Sequence, residues 1–121
     1  MDFFGAIKSG FHNYATFSGR AARSEFWFWV LFAVIVTAAG GVIDEALLPN
    51  SQNGLVAPLI ALALLLPGIA VSVRRLHDVD RAGWWLLIYF TGIGIIFLII
   101  WYCTIGTTGP NRFGPDPLAP A

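Results

Sequence analysis

The sequence predicts an all-α membrane protein with three transmembrane helices, preceded by an N-terminal amphipathic helix that lies at the membrane interface. Two observations favour this class. The chain of 121 residues is 57% hydrophobic and only 12% charged, roughly half the charged fraction of ordinary globular proteins. It also contains three long apolar runs without Asp, Glu, Lys, Arg or His. We expect residues 1–121 to form a single integral membrane domain.

The three apolar runs cover residues 26–43, 55–73 and 84–106. As helices they would measure roughly 27, 28 and 34 Å, and the hydrocarbon layer of a bilayer is about 30 Å thick. Since backbone groups cannot stay unpaired in lipid, each run should be helical. A soluble fold would need three helices that are apolar on every face, and too few polar residues remain to cover them. Each run is therefore predicted to span the membrane.

The segments outside these runs have a different character. In residues 2–17, apolar residues recur at helical spacing with polar residues mostly between them, which predicts an amphipathic helix along the inner membrane surface. The apolar positions are Phe3, Phe4, Ile7, Phe11, Tyr14 and Ala15. Residues 107–121 are rich in Gly and Pro, and we expect this tail to form turns.

Basic residues predict the orientation, because Lys and Arg accumulate in cytoplasmic loops. Three precede the first run and three lie between the second and third, whereas residues 44–54 contain none. The six residues are Lys8, Arg20, Arg23, Arg74, Arg75 and Arg81. The N-terminus and residues 74–81 are therefore expected in the cytoplasm. Three crossings would then place the C-terminus in the periplasm.

Composition argues against several classes of function. The formal net charge is zero, which disfavours a nucleic-acid partner. Cys103 is a lone cysteine, so an internal disulfide is excluded. His12 and His77 are the two histidines, and no Cys/His pattern with ligand spacing occurs, so neither a metal site nor another cofactor is expected.

The polar chemistry is concentrated around the stretch "RRLHDVDRAGWW", residues 74–85. One interpretation is a cytoplasmic anchor held by mutual ion pairs. The other is a site for an anionic lipid headgroup or a small phosphate-bearing ligand, because a guanidinium group binds phosphate through two hydrogen bonds. The candidate residues for either role are Arg20, Arg23, Glu25, Arg74, Arg75, His77, Asp78 and Arg81. These residues, counted with Asp80 and with His77 neutral, carry a net charge of only +2. This near balance favours the anchor held by mutual ion pairs over the anion site.

Two further features bear on the candidate site. Asn111, Arg112 and Asp116 in the tail are expected to bond to the 74–81 loop or to a partner. His77 and Asp78 are adjacent in sequence and suggest a general base, but neighbouring helical residues point about 100° apart. With no nucleophile nearby, we expect no catalytic residue.

Three segments resemble a known family. "FSGRAARSEFWFWVLF" (17–32), "RRLHDVDRAGWWLL" (74–87) and "GTTGPNRFGPDP" (106–117) are similar to the signature segments of domain-of-unknown-function family 805. Ala82 departs from the serine that the family usually has there. The resemblance implies a small, multi-pass protein of the bacterial inner membrane, and it implies no reaction.

The resemblance raises a conflict with three full crossings. If the three segments form one site, they must lie at one membrane face, but three spans separate the tail from the other two. Either there are two polar sites, or the third run turns back near Gly92 and Gly94. The 23-residue length of that run favours a full crossing.

The function expected from the sequence is that of a structural or accessory subunit in a membrane assembly, and not an enzyme. Its expected partners are the lipid bilayer, including anionic phospholipid, and other integral membrane subunits. Binding of an anionic headgroup or phosphate-bearing ligand at the cytoplasmic face is the alternative. An oligomeric transporter is less favoured, because the spans lack the ionisable residues typical of conduction pathways. A membrane enzyme is less favoured, because no serine or cysteine is placed to act as a nucleophile beside His77.

Overall fold

The computed structural model describes residues 2–49 and 54–118, and the regular secondary structure of these residues is helical. The elements are α1 (Phe3–His12), α2 (Arg23–Leu47), α3 (Val56–Asp78), a 3-10 helix (Gly83–Thr91) and α4 (Gly94–Cys103). Within these ranges there is no β-strand, only an isolated bridge in the tail. The predicted all-α class is confirmed.

Helices α2 and α3 form an antiparallel pair, and the other helices pack against this pair. They have 25 and 23 residues, and both are long and apolar enough to cross a membrane. Only 17% of the most apolar window of each helix is buried, whereas the core helix of a soluble protein would hide most of its apolar surface. These two helices correspond to the first two predicted spans.

Asp44, near the end of α2, binds the first residues of α3. Its carboxylate accepts hydrogen bonds from the backbone N–H groups of Val56 (2.8 Å) and Ala57 (2.9 Å). Helix N-termini leave such N–H groups without a partner inside the helix. Gly40 lets the two helices approach closely here, since a Cβ at this position would lie 3.1 Å from the Cα of Ala57. Asp44 therefore caps α3.

Helix α1 is shorter than the predicted segment 2–17. The Asp2 side chain accepts a hydrogen bond from Gly5 N at 2.7 Å and so caps its start. Asn13 ends the helix, because its side chain bonds back to Ser9. The apolar face packs against α2, where the ring of Phe11 meets that of Trp29 edge to face with centroids 5.4 Å apart. An interfacial position for α1 stays a prediction.

The third apolar run is broken in the structure, and the prediction of one continuous helix over 84–106 is wrong. The chain forms a 3-10 helix, reverses at Gly92 and continues as α4. Gly92 has a φ of 76°, which glycine adopts without the steric cost that other residues pay. The Thr91 hydroxyl accepts from Gly94 N at 2.9 Å and closes the turn.

The two halves of this hairpin pack against each other. The rings of Trp85 and Trp101 are in contact with centroids 5.5 Å apart, whereas 16 residues of continuous helix would separate their backbones by about 24 Å. The 3-10 segment extends about 18 Å and α4 about 15 Å, so neither half reaches across a layer of about 30 Å. The tail therefore returns to residues 74–81 and does not lie at the opposite end of α3, as three full crossings would require. The side of the membrane on which the C-terminus lies stays a prediction.

We predict that replacing Gly94 by alanine loosens this hairpin. A Cβ at position 94 would lie 1.9 Å from the backbone oxygen of Ile88, so the 3-10 helix or α4 must move. Overpacking of this kind typically costs about 1–3 kcal/mol, and unfolding of the purified chain in mixed micelles would measure it. Gly41→Ala is the control, since nothing lies within 4 Å of a Cβ there. Equal stability of the two variants would contradict the tight hairpin.

Candidate functional site

The three charged segments meet at one end of the helix pair, where α3 ends, α2 begins and the tail returns. Six polar or charged residues are buried there, a costly arrangement unless each group is paired. They are Arg20, Glu25, Arg74, Arg75, His77 and Asp78. We refer to these six residues as the buried charge cluster. Three arginines against two carboxylates leave it with one positive charge when His77 is neutral.

Asp78 lies at the centre of the buried charge cluster. Its Oδ1 atom is 2.9 Å from Arg20 Nη2, and its Oδ2 atom is 2.5 Å from Arg75 Nη1. The tail passes directly over this carboxylate, because a Cβ at Gly106 would lie 1.9 Å from Oδ2. The backbone N–H of Thr107 also donates to the carbonyl of Asp78 at 2.7 Å. One side chain thus links two arginines and the returning tail.

Carbonyl groups of the tail complete the surroundings of Arg20. Its guanidinium donates to the backbone oxygens of Thr107, Gly109 (2.7 Å) and Gly114 (3.3 Å). Gly109 and Gly114 have φ angles of 78° and 135°, a region that non-glycine residues rarely adopt. The glycines of the tail therefore allow turns that direct carbonyl oxygens toward the buried guanidinium of Arg20.

Arg75 is surrounded in the same way and is fully buried. Its guanidinium donates at 3.3 Å to the carbonyls of Ala21, Trp101 and Tyr102, and also to that of Thr104. The planar guanidinium offers five N–H donors in a fixed arrangement, whereas a lysine ammonium offers three. This site therefore requires arginine, and it joins the end of α4 to the start of α2.

A further ion pair, between Arg74 and Glu25, joins α3 to α2, and Ser9 links it to α1. Arg74 Nη1 lies 2.5 Å from Glu25 Oε2, and the hydroxyl of Ser9 donates to the same oxygen at 3.0 Å. The Nε and Nη2 atoms of Arg74 are buried and find no acceptor among the described residues. The carbonyl of Arg74 accepts from Ala21 N at 2.9 Å. Arg74 is thus enclosed by protein and does not reach the surface.

His77 contacts the tail and forms no hydrogen bond with the neighbouring carboxylate of Asp78. Its Nδ1 atom lies 2.8 Å from the carbonyl oxygen of Gly19, and since a carbonyl only accepts, Nδ1 carries the proton. The ring stacks on Phe113 with centroids 4.0 Å apart and planes within 1°. Asn111 Nδ2 donates to the His77 carbonyl at 2.9 Å. Because Asp78 is occupied by arginines, the two neighbours do not form an acid–base pair.

Three of the remaining basic residues are exposed at this end. Arg23 donates to the Cys103 carbonyl at 3.1 Å. Arg81 lies over the Trp101 ring, 4.8 Å from its centroid. Arg112 pairs with Asp80 at 3.3 Å, with both side chains about half exposed. These exposed contacts contribute little to stability compared with the buried ones.

Asp116 bonds within the tail itself. Its carboxylate accepts from the backbone N–H groups of Leu118 and Gly109, both at 2.9 Å. These two hydrogen bonds, that from Leu118 first, hold the pKa of Asp116 below its ordinary value. The charged carboxylate therefore stabilises the tail turn above the ordinary carboxyl pKa of about 4. Among the described residues, Asp116 forms no hydrogen bond or ion pair with the 74–81 loop.

Sequence reasoning found most members of this site and missed several of their partners. Ser9 and Phe113 were missed, although the aromatic residue in "GPNRFGPDP" offered a weak signal. Backbone carbonyls leave no trace in a residue pattern, so the contacts of Thr107 and Gly109 were not predictable. Among the described residues, no group of three or more His, Cys, Asp and Glu side chains is arranged to hold a metal ion.

Comparisons with known proteins agree with the three signature segments. A family described as "Protein of unknown function (DUF805)" matches residues 14–115. The inner membrane protein YhaH of Escherichia coli is 41% identical over 108 residues, covering 87% of this chain and 89% of the relative. The inner membrane protein YhaI of Escherichia coli is 44% identical over 106 residues, covering 87% and 88%. No solved structure matches significantly. The resemblance stated from the sequence is confirmed.

We predict that Asp78→Asn destabilises the fold strongly. It removes the one carboxylate shared by Arg20 and Arg75, and breaking a buried ion pair typically costs about 3–5 kcal/mol. Equilibrium unfolding of the purified chain in mixed micelles would measure the loss.

Asp80→Asn is the matched control, because Asp80 lies two residues away in an exposed pair with Arg112. Exposed pairs contribute about 0–1 kcal/mol, and asparagine tolerates the φ of 60° at this position. Similar losses in the two variants would show that the buried charge cluster does not hold the fold together.

Proposed function

We propose that this chain, which belongs to the DUF805 family, is a structural or accessory subunit of the bacterial inner membrane that binds a transmembrane helix of another protein. The role requires no reaction centre, and we propose that the chain is not an enzyme. Its location follows from relatives that are themselves inner membrane proteins.

The observation that carries this proposal is that the fold itself uses the polar groups of the site. Arg20 and Arg75 are occupied by Asp78 and by carbonyl oxygens. Arg74 is enclosed beside Glu25. A site that captured an anion through Arg20 or Arg75 would have to break those contacts first. Their arrangement supports a clamp that holds the hairpin and tail in place.

An apolar groove supplies the surface for a partner. It has a volume of about 1110 Å³ and lies between α2, α3 and the hairpin. No Asp, Glu, Lys, Arg or His is among its lining residues, which disfavours a transport pathway. From Phe26 to Ala38 it follows α2 for 12 residues, or about 18 Å.

The side chains along the groove favour a helix as the occupant. Ala33, Ala38 and Gly68 lie on its walls, and small residues let the backbone of a neighbouring helix approach closely. The length of the groove corresponds to about three helical turns. We therefore propose an apolar transmembrane helix of another membrane protein, rather than a lipid chain, as its occupant.

The proposed orientation differs from that of three full spans. Helices α2 and α3 cross the bilayer, and the hairpin of the 3-10 helix and α4 enters and leaves on one side. Both halves of the hairpin are helical, so their backbone groups are mostly paired within the chain, as backbone at membrane depth requires. Because the basic residues cluster at this end, both termini would lie in the cytoplasm.

Reporter fusions test this orientation. A green fluorescent protein fused after residue 121 should fluoresce, and alkaline phosphatase at the same place should be inactive. Phosphatase inserted in the loop between α2 and α3 should be active, which controls for expression. An active phosphatase at the C-terminus would restore the three-span arrangement and contradict the re-entrant hairpin.

Photo-crosslinking tests the partner surface with two adjacent residues of α2. Val34 lines the groove and Ile35 does not, although both are about half exposed. A photoreactive amino acid at 34 should give one discrete protein adduct in native membranes, and the same probe at 35 should not.

A variant that fills the groove tests whether the adduct from position 34 depends on the groove. Ala38→Trp should abolish the adduct from position 34, while the circular dichroism spectrum of the purified chain stays unchanged. Equal protein adducts at both positions, or lipid adducts alone at position 34, would contradict a helix in the groove.

A further inference from the structure

Positive charge is in excess beside the buried charge cluster. Arg23 donates to the carbonyl of Cys103 and Arg75 to that of Thr104, so the two cations bind adjacent residues. Arg75 and Arg20 also share the single carboxylate of Asp78. Three guanidinium groups thus face one carboxylate. Asp116 acts on Arg20 from the tail, and one positive charge still remains uncompensated. That residual charge favours an anion at this place.

A cavity lies where this charge reaches the surface. It has a volume of about 460 Å³, within the range of small-molecule sites, and Arg23 and Asp78 are among its lining residues. Trp27, Ile105 and Leu118 contribute apolar walls, and all three are exposed. The cavity is therefore a mostly apolar recess with Arg23 and Asp78 in its wall.

Arg23 differs from the arginines of the buried charge cluster in being available. It is exposed, and among the described residues its hydrogen bond to Cys103 uses one of the five guanidinium donors. Asp78 would not repel an anion strongly, because its charge is already neutralised by two arginines. An arginine with free donors can bind phosphate oxygens through two hydrogen bonds.

We propose that the cavity beside Arg23 binds a phosphate group, carried either by an anionic phospholipid or by a free phosphate ion. The guanidinium of Arg23 holds the phosphate oxygens, and the apolar walls accommodate the glycerol and upper chains when a lipid is the source. This site is separate from the groove between α2 and α3, and binding there does not depend on a partner protein.

Native mass spectrometry of the purified full chain tests the site. Phosphatidylglycerol is titrated into detergent micelles, and the fraction of chain that retains one lipid gives a Kd. Diacylglycerol with the same chains but no phosphate should not be retained. Arg23→Gln should weaken phosphatidylglycerol binding about tenfold, the equivalent of about 1.4 kcal/mol.

Lys8→Gln is the matched control, since it removes one exposed positive charge from α1 and not from the cavity. It should change the Kd less than twofold. Ile105→Trp is a second variant, which narrows the cavity and leaves Arg23 in place. It should also weaken binding, so the test does not depend on the folding of Arg23→Gln alone.

Competition distinguishes the two sources of phosphate. If inorganic phosphate at millimolar concentration displaces the lipid more than chloride does at equal ionic strength, the site accepts the free ion. If it does not, the lipid is the ligand. Equal weakening by Arg23→Gln and Lys8→Gln, or retention of the phosphate-free lipid, would overturn the proposal.

Discussion

The structure depends on one constraint: a mostly apolar chain that buries Arg20 and Arg75 must supply their counter-charge and their hydrogen-bond acceptors itself. Asp78 supplies the charge for Arg20 and Arg75. The carbonyl oxygens come from the tail and from the end of α4. Water cannot replace these acceptors in the interior, and a buried donor without a partner is costly. The last third of the chain must therefore return to the end of α3.

This requirement explains the hairpin. A chain that crossed the membrane after residue 83 would leave Arg20 and Arg75 without most of their acceptors. The reversal at Gly92 brings the Cys103–Gly114 segment back to Asp78. It also leaves α2 and α3 covered on one side by two short helices, and the apolar groove opens between these elements. The polar site and the lateral surface are thus two results of the same folding constraint.

The sequence contained some of these features and not others. Long apolar runs predict α2 and α3 reliably, because length and composition decide whether a helix can span a bilayer. The charged residues of the site were also evident, since ionisable groups are rare in such a chain. The hairpin was not predictable from length, because an apolar run of 23 residues fits either one span or two short helices. Gly92 allows the reversal, and the contacts of Arg20, Arg75 and Asp78 with the returning segment favour it. Contacts made by backbone carbonyls have no sequence signature.

Hydrogen–deuterium exchange of the folded chain in lipid nanodiscs tests the central claim most directly. The backbone N–H of Thr107 donates to the Asp78 carbonyl at 2.7 Å, so its exchange should be slow despite its place in a Gly/Pro-rich tail. Slow exchange at Thr107, similar to that of amides in the middle of α3, is the result expected from a docked tail. Exchange at the rate of an unstructured peptide would contradict the account, because the buried arginines would then lack the acceptors on which the fold depends.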